Sequence, residues 1–131
     1  MSDPTPLNRT LALRTVVVEA LQTAMPEGSA VYYQTAQKEH PKIYAVYLLN
    51  QILNQDDRYS YELEINVMDY GTNTSTVEDL CDSIQDLFNK KVVITNDIGV
   101  YFYTDRRNTV DEEDRNIIRR RLTFSAYLYD R

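Results

Sequence analysis

The sequence has few of the residues from which most catalytic and metal sites are built. Its 131 residues include one cysteine, one histidine, three glycines, four prolines and no tryptophan. The single cysteine, Cys81, excludes an intramolecular disulfide and a cysteine-based zinc site. The single histidine, His40, precedes Pro41 in a polar stretch and is interpreted as an exposed loop residue. Three glycines leave no room for a glycine-rich phosphate loop, so we expect a protein that is not an enzyme and that needs no cofactor or metal.

The charge balance argues against a nucleic-acid-binding role. The chain has 14 basic and 20 acidic residues and a net charge of -6, whereas phosphate binding needs a basic surface. The length is that of one domain able to bury a core. The polar stretch Met1–Pro6 lacks the apolar core that a signal peptide needs, so none is expected, and Ala45–Leu49 is far too short to span a bilayer. We therefore expect one domain over residues 1–131, with residues 1–6 as an N-terminal tail, made in a reducing cytoplasm and without a membrane partner.

Two segments have the periodicity of amphipathic helices. The first runs from about Pro6 to Ala24, where Thr5 can cap it and Pro6 suits the first helical position. Its apolar positions are Leu7, Leu11, Leu13, Val17, Val18, Leu21 and Met25. The second follows Ser75-Thr76-Val77-Glu78, which has the form of a capping box with Ser75 as the cap. Its apolar positions are Val77, Leu80, Cys81, Ile84, Leu87 and Phe88.

Six segments have the composition of β-strands. They are Val31–Thr35, Ile43–Leu53, Tyr59–Tyr70, Val92–Thr95, Val100–Thr104 and Ile117–Asp130. The second and third, joined by the polar turn Asn54–Arg58, predict a long antiparallel hairpin. The last has an apolar face formed by Leu122, Phe124, Ala126 and Leu128. The order of elements predicts an α+β domain with an antiparallel sheet and two helices packed on one face.

The strand Ile43–Leu53 is apolar on both of its faces, which predicts that both are covered. Two helices fit on one face of the sheet, so the other face needs a different cover. If Tyr44, Val46 and Leu48 face the core, the opposite side is left for a neighbouring subunit or another partner. The interface candidates on that side are Ile43, Tyr47 and Leu49. The 11 tyrosines are either half-buried strand residues or, in part, interface residues.

A cluster of arginines lies near the C-terminus, beside a run of carboxylates. The arginines are Arg106, Arg107, Arg115, Arg119, Arg120 and Arg121, and the carboxylates are Asp111, Glu112, Glu113 and Asp114. Three interpretations stay open: a phosphate-binding patch, ion pairs between subunits, or a solvated face with local ion pairs. The carboxylates lack the spacing of a calcium loop, and the segment Asn108–Asn116 is predicted to be a solvated loop. Candidates for subunit contact are Arg119 and Arg121 with the four carboxylates.

The order and spacing of these features resemble the tail-completion, or tail-terminator, proteins of long-tailed bacteriophages. The resemblance covers Leu7 to Tyr129 and rests on an ordered series of weak motifs. They are the first helix (Leu11 to Ala24), a Pro-led strand (Pro41 to Tyr47), a strand ending in a polar turn (Glu64 to Tyr70), the helix Val77 to Phe88, and a closing strand with two arginines (Arg120 to Tyr127).

The resemblance implies a role in the virion. Such proteins form a ring, typically a hexamer, that ends polymerisation of the tail tube at its head-proximal end. The implied partners are other copies of the chain, the tail tube protein and the head-tail connector proteins, and DNA would pass through the lumen without specific binding. The implied location is the tail or neck of the virion, after synthesis in the cytoplasm of the bacterial host. The alternative is a small adaptor or chaperone that binds a peptide at a sheet edge.

Overall fold

The structure is a computed structural model, and it describes residues 8–52, 59–71, 74–112 and 116–130. The helices are α1 (Arg9–Ala24) and α2 (Thr74–Phe88), and the strands are β1 (Ala30–Tyr33), β2 (Ile43–Ile52), β3 (Tyr59–Tyr70), β4 (Val92–Ile94), β5 (Ile98–Val110) and β6 (Ile117–Asp130). All six strands form one sheet in the order β1-β2-β3-β6-β5-β4. The sheet curves into a half-barrel and, with the helices, makes one α+β domain. The predicted tail 1–6, the cap Thr5 and the turn 54–58 lie outside the described residues.

The sheet is mixed, which corrects the prediction of a purely antiparallel one. β1 pairs with β2 in parallel, with Val31 opposite Ala45, whereas the other four pairings are antiparallel. The chain leaves β1 through Gln34, whose φ of 69° turns the backbone sharply. Residues 34–42 then carry the chain back, so β2 starts at the same end of the sheet as β1. Parallel neighbours are usually joined by longer crossovers that contain a helix. The sequence therefore gives no sign of so short a return.

Both helices pack on one face of the sheet, here called the helix face, as predicted. Its side chains are those at odd positions of β2 and β3 and at even positions of β6, which the strand registers place side by side. They form one core with the buried side chains of α1 and α2. The opposite side is called the open face, because neither described helix covers it. The predicted apolar face of β6 is buried at all of its positions: Leu122, Phe124, Ala126 and Leu128.

The helix boundaries differ from the predictions at their first turns. Asn8, not Thr5, caps α1: its side-chain oxygen accepts a hydrogen bond from the N–H of Leu11 at 3.0 Å, and the helix begins at Arg9. The sequence pattern predicts Leu11 on the apolar face of α1, but its side chain is exposed. In α2 the helix begins at Thr74, so Ser75 lies inside it and is not the predicted N-cap. All six predicted apolar positions of α2 are buried or packed against the core.

Among the strands, β3 and β6 have the predicted bounds and β5 is much longer than expected. The strand was expected to end at Thr104 and Asn108–Asn116 to be a solvated loop, yet β5 continues beside β6 to Val110. A β-bulge between Thr104 and Arg106 shifts the register. The bulge turns Arg106 to the open face, opposite Thr123, and Arg107 to the helix face, opposite Leu122. Alternation alone does not reveal such a shift.

Candidate assembly surfaces

The three apolar interface candidates of β2 lie on the helix face, which is the opposite of the predicted arrangement. Tyr47 and Leu49 are buried in the core, and Ile43 packs against it. The ring of Tyr47 lies 5.1 Å from that of Tyr33 in an edge-to-face contact. The cause is strand pairing: β3 is apolar on one side only, and the register places Tyr47 opposite Ile65 on that side. In the sequence, the register of the predicted hairpin is therefore what indicates which side of β2 is buried.

The side of β2 that neither described helix covers carries Tyr44, Val46 and Leu48. These side chains line a groove of about 360 Å³ on the open face, together with Thr35 and Ala36 of the returning chain. Polar side chains also line the groove, among them Gln34, Glu64, Asn66 and Arg119. This groove is the part of the open face that the segment 34–42 partly covers.

His40 belongs to this cover and is a loop residue, as predicted, but it is half-buried and not exposed. Its ring lies 4.0 Å from the ring of Tyr44, centroid to centroid. Its Nδ1 is 2.9 Å from the carbonyl oxygen of Pro41, which can accept a hydrogen bond from it. Burial raises the pKa of the Tyr44 hydroxyl, which therefore stays neutral at physiological pH.

At the far end of the open face, four tyrosines and two aliphatic residues of β4, β5 and β6 form a surface that we call the tyrosine patch. Its members are Val92, Ile94, Tyr101, Tyr103, Tyr127 and Tyr129, which the strand registers place on one face. The rings of Tyr101 and Tyr103 lie 4.5 Å apart, and those of Tyr103 and Tyr127 lie 6.1 Å apart. Val92 and Ile94 are 55% and 65% exposed. The alternation of tyrosine at 101 and 103 and at 127 and 129 was the sequence signal for this patch.

The arginine cluster is divided between the two faces of the sheet. On the helix face, the Glu78 carboxylate accepts hydrogen bonds from Arg120 and Arg107, and Arg107 also donates to Asp82. Burial tends to raise the pKa of the Glu78 carboxyl, but the two arginine hydrogen bonds outweigh it and hold this pKa below its usual value. These two arginines therefore bind α2 to the sheet.

On the open face, Arg119 and Arg121 form ion pairs within their own chain. The guanidinium of Arg119 donates to Glu112 at 2.8 Å and to the side-chain oxygen of Asn66 at 3.0 Å. Arg121 lies 3.4 Å from the carboxylate of Glu64. This is the geometry of a face with local ion pairs. Asp111 is exposed at the end of β5, and the candidates Glu113 and Asp114, like Arg115, lie outside the described residues.

The described residues contain no group of three His, Cys, Asp or Glu side chains close enough to hold a metal ion. Cys81 lies on the buried side of α2, and burial raises the pKa of its thiol to about 11. The thiol is therefore protonated at neutral pH and is a packing residue. Neither helix in the described part of the chain is long and apolar enough to cross a membrane.

Comparison with known proteins finds similarity in structure but not in sequence. No family model matches the chain, and no curated protein matches it. Among solved structures, a chain of the virion of a native gene transfer agent (GTA) particle superposes with a TM-score of 0.71 at 14% identity, covering 96% of this chain and 100% of the other. A second solved structure superposes with a TM-score of 0.67 at 12% identity, covering 95% of this chain and 97% of the other. This chain therefore has the fold of a component of a GTA virion particle.

Proposed function

We propose that this protein is a structural component of a phage-like virion. The observation that carries the proposal is the superposition on a chain of the GTA virion particle, which extends over nearly the whole of both chains. The order and spacing of the sequence motifs support the same role independently, because they do not depend on any superposition. In this proposal the protein acts by binding other virion proteins and catalyses no reaction.

More specifically, we propose that it forms a ring at the head-proximal end of the tail tube. There the ring ends tube polymerisation and provides the surface to which the head connector binds. A closed ring of identical subunits needs two different contact surfaces on each subunit. Among the described strands, the sheet has two unlike edges, β1 on one side and β4 on the other, and exposed strand edges readily pair with another chain. We take the ring to be a hexamer, as the resemblance implies.

The open face supports an assembly role as well. A monomer seldom leaves a contiguous aromatic and aliphatic surface in water, and tyrosine is enriched where protein surfaces meet. The tyrosine patch fits a protein partner better than nucleic acid, because its members carry no positive charge and the chain has a net charge of -6. In a conduit for DNA, a net negative protein does not retain the passing phosphates.

A low-resolution image of the purified protein mixed with purified tail tubes tests this function. We expect rings in solution or at one end of each tube, and tubes that no longer elongate when tube protein is added. The second candidate, an adaptor that binds peptides at a sheet edge, is favoured only by the same free edges. It predicts a monomer or dimer at all concentrations and no density at tube ends, and that result would overturn the ring.

A further inference from the structure

We propose that copies of this chain join head to tail, with the free edge of β4 in one copy alongside the free edge of β1 in the next. The sheet then continues from subunit to subunit around the ring. This inference rests on the proposed function, which supplies the ring, and it names the surfaces that form it.

The β4 edge directs backbone groups away from the sheet, beside exposed apolar side chains, and no described strand pairs with it. The N–H of Phe102 donates to the carbonyl of Lys91 and the N–H of Thr95 to that of Ile98, both at 2.8 Å. Because hydrogen-bonded pairs alternate along an antiparallel ladder, the backbone groups of Val92 and Ile94 point away from β5. These two residues are also the aliphatic members of the tyrosine patch, and the side chains of both are more than half exposed. A neighbouring strand would form hydrogen bonds with these backbone groups and would partly cover the side chains of Val92 and Ile94.

The β1 edge is a matching surface at the other side of the sheet. The N–H of Gln34 donates to the carbonyl of Tyr47 at 2.9 Å, so by alternation Val31 and Tyr33 direct their N–H groups away from β2. Beside this edge, α1 and β1 enclose a groove of about 250 Å³. Its lining is Leu11, Arg14, Thr15, Val18, Val31, Tyr33 and Tyr47. A β4 strand placed along this edge would bring Val93, its residue on the helix face, to the groove, and would set Val92 and Ile94 beside Tyr32 on the open face.

The direction of the two edges is the one that a ring requires. β1 is parallel to β2, and the four antiparallel pairings from β2 through β3, β6 and β5 to β4 reverse the direction an even number of times. β4 therefore runs the same way as β1. Since rotation about a ring axis that lies along the strands preserves their direction, β4 of one copy would meet β1 of the next in parallel.

The charged residues at the two edges are complementary when the strands run in parallel, because each end of one edge has the opposite sign to the same end of the other. At the C-terminal end of β1, Arg14 lies with its guanidinium 3.9 Å from the ring centroid of Tyr33, and its buried Nε has no hydrogen-bond partner among the described residues. At the C-terminal end of β4 lies the exposed Asp97. At the N-terminal ends, Glu27 precedes β1 and Lys91 precedes β4, and both are exposed. Parallel docking brings Asp97 to Arg14 and Lys91 to Glu27, so a second copy of this chain is the occupant that both edges fit.

Charge reversal with rescue tests the pairing. The variants are Asp97→Arg, Arg14→Asp and the double variant, with Asp86→Arg as control, since Asp86 is exposed on α2, a helix that packs on β3, β5 and β6. Light scattering during size-exclusion chromatography gives the mass of each over a range of concentrations, alone and with tail tubes. Because like charges then face each other, we expect each single reversal to weaken assembly about tenfold or more. The double variant should regain most of it, and the control should match wild type.

The outcomes distinguish a failure of the edge pairing from a failure of the proposed function. If wild type forms rings and Asp97→Arg forms them equally well, the edge pairing is wrong and the ring stands. If Arg14→Asp unfolds because it loses its contact with Tyr33, the pair Lys91→Glu and Glu27→Lys replaces it, with the same expectation of loss and rescue. A wild-type chain that stays monomeric and leaves tail tubes bare overturns the proposed function and this inference together.

Discussion

The carboxylate of Glu78, on α2, accepts a hydrogen bond from Nε of Arg120, on β6, although the two residues are 42 positions apart in the chain. Arg107 of β5 donates to the same carboxylate. The side chain of Arg120 is only 16% exposed, so the loss of Glu78 would leave a guanidinium largely out of water without its counter-ion. Two members of the arginine cluster thus hold α2 on the sheet, and the cluster is not one continuous basic surface.

We expect Glu78→Gln to lower the free energy of unfolding at pH 7 by about 1 kcal/mol, because hydrogen bonds to charged groups are lost at a partly exposed site. The folded-state pKa of Glu78 lies below its ordinary value of 4.5. Its stabilising effect is therefore full above pH 4.5 and is lost as the pH falls through the folded-state pKa. Urea titrations of wild type and Glu78→Gln at several pH values would measure this.

The matched control for that experiment is Asp86→Asn, at an exposed position of the same helix. We expect it to change stability by no more than a few tenths of a kcal/mol. A Glu78→Gln difference that stays constant from pH 7 down to pH 3 would show that the carboxylate is not the stabilising group.

We expect Ile84→Ala to destabilise the protein by about 2–5 kcal/mol, since it removes a fully buried side chain from the centre of the helix face. Ile52→Ala, at an exposed position at the end of β2, is the control and should leave the urea midpoint nearly unchanged. Equal midpoints for wild type and Ile84→Ala would mean that α2 does not pack as described.

The two faces of the sheet should respond in opposite ways to a new charge. Tyr47 is 3% exposed in the core, so we expect Tyr47→Asp to unfold the protein, because a carboxylate cannot be buried there without a partner. Tyr103 lies on the open face and is 42% exposed, so Tyr103→Asp should keep the fold and weaken assembly. Circular dichroism and mass measurement separate the two effects. A folded Tyr47→Asp that fails to assemble would instead place Tyr47 at a subunit interface.

DNA binding should be negligible in wild type and should remain so in Arg119→Glu with Arg121→Glu. The chain has a net charge of -6, and both arginines already face carboxylates of their own chain. Fluorescence anisotropy of a labelled duplex, at low salt and at about 0.15 M salt, measures the affinity. Tight binding that weakens steeply with salt would instead indicate phosphate contacts.

Sequence patterns correctly predicted the helices and strands whose apolar residues all lie on one side. The bounds of β3 and β6 were confirmed, as were the apolar positions of α2, because each presents one apolar face that only a core can cover. The placement of both helices on a single face was confirmed for the same reason. The resemblance to virion proteins rested on the order of these elements, which the structural comparison supports at the level of fold.

What the sequence did not reveal depends on pairing between distant strands. The parallel return from β1 to β2 is set by a turn at Gln34 and by packing of His40 on Tyr44, and neither has a local pattern. The strand β2 is apolar on both sides, so only its register with β3 decides which side is buried. The tyrosine patch likewise arises from three strands that are brought together by the bulge-containing pairing of β5 with β6. The candidates Ile43, Tyr47 and Leu49, chosen from one strand alone, were therefore assigned to the wrong face.

Tail length in the absence of this protein tests the central claim most directly. Deletion of the gene from the phage-like particle, followed by electron microscopy of the tails, gives the distribution of tail lengths. If the protein ends tube polymerisation, the deletion should give tails of variable and excessive length that do not join heads, and a plasmid copy of the gene should restore one length. Tails of normal, uniform length in the deletion would contradict the terminator role.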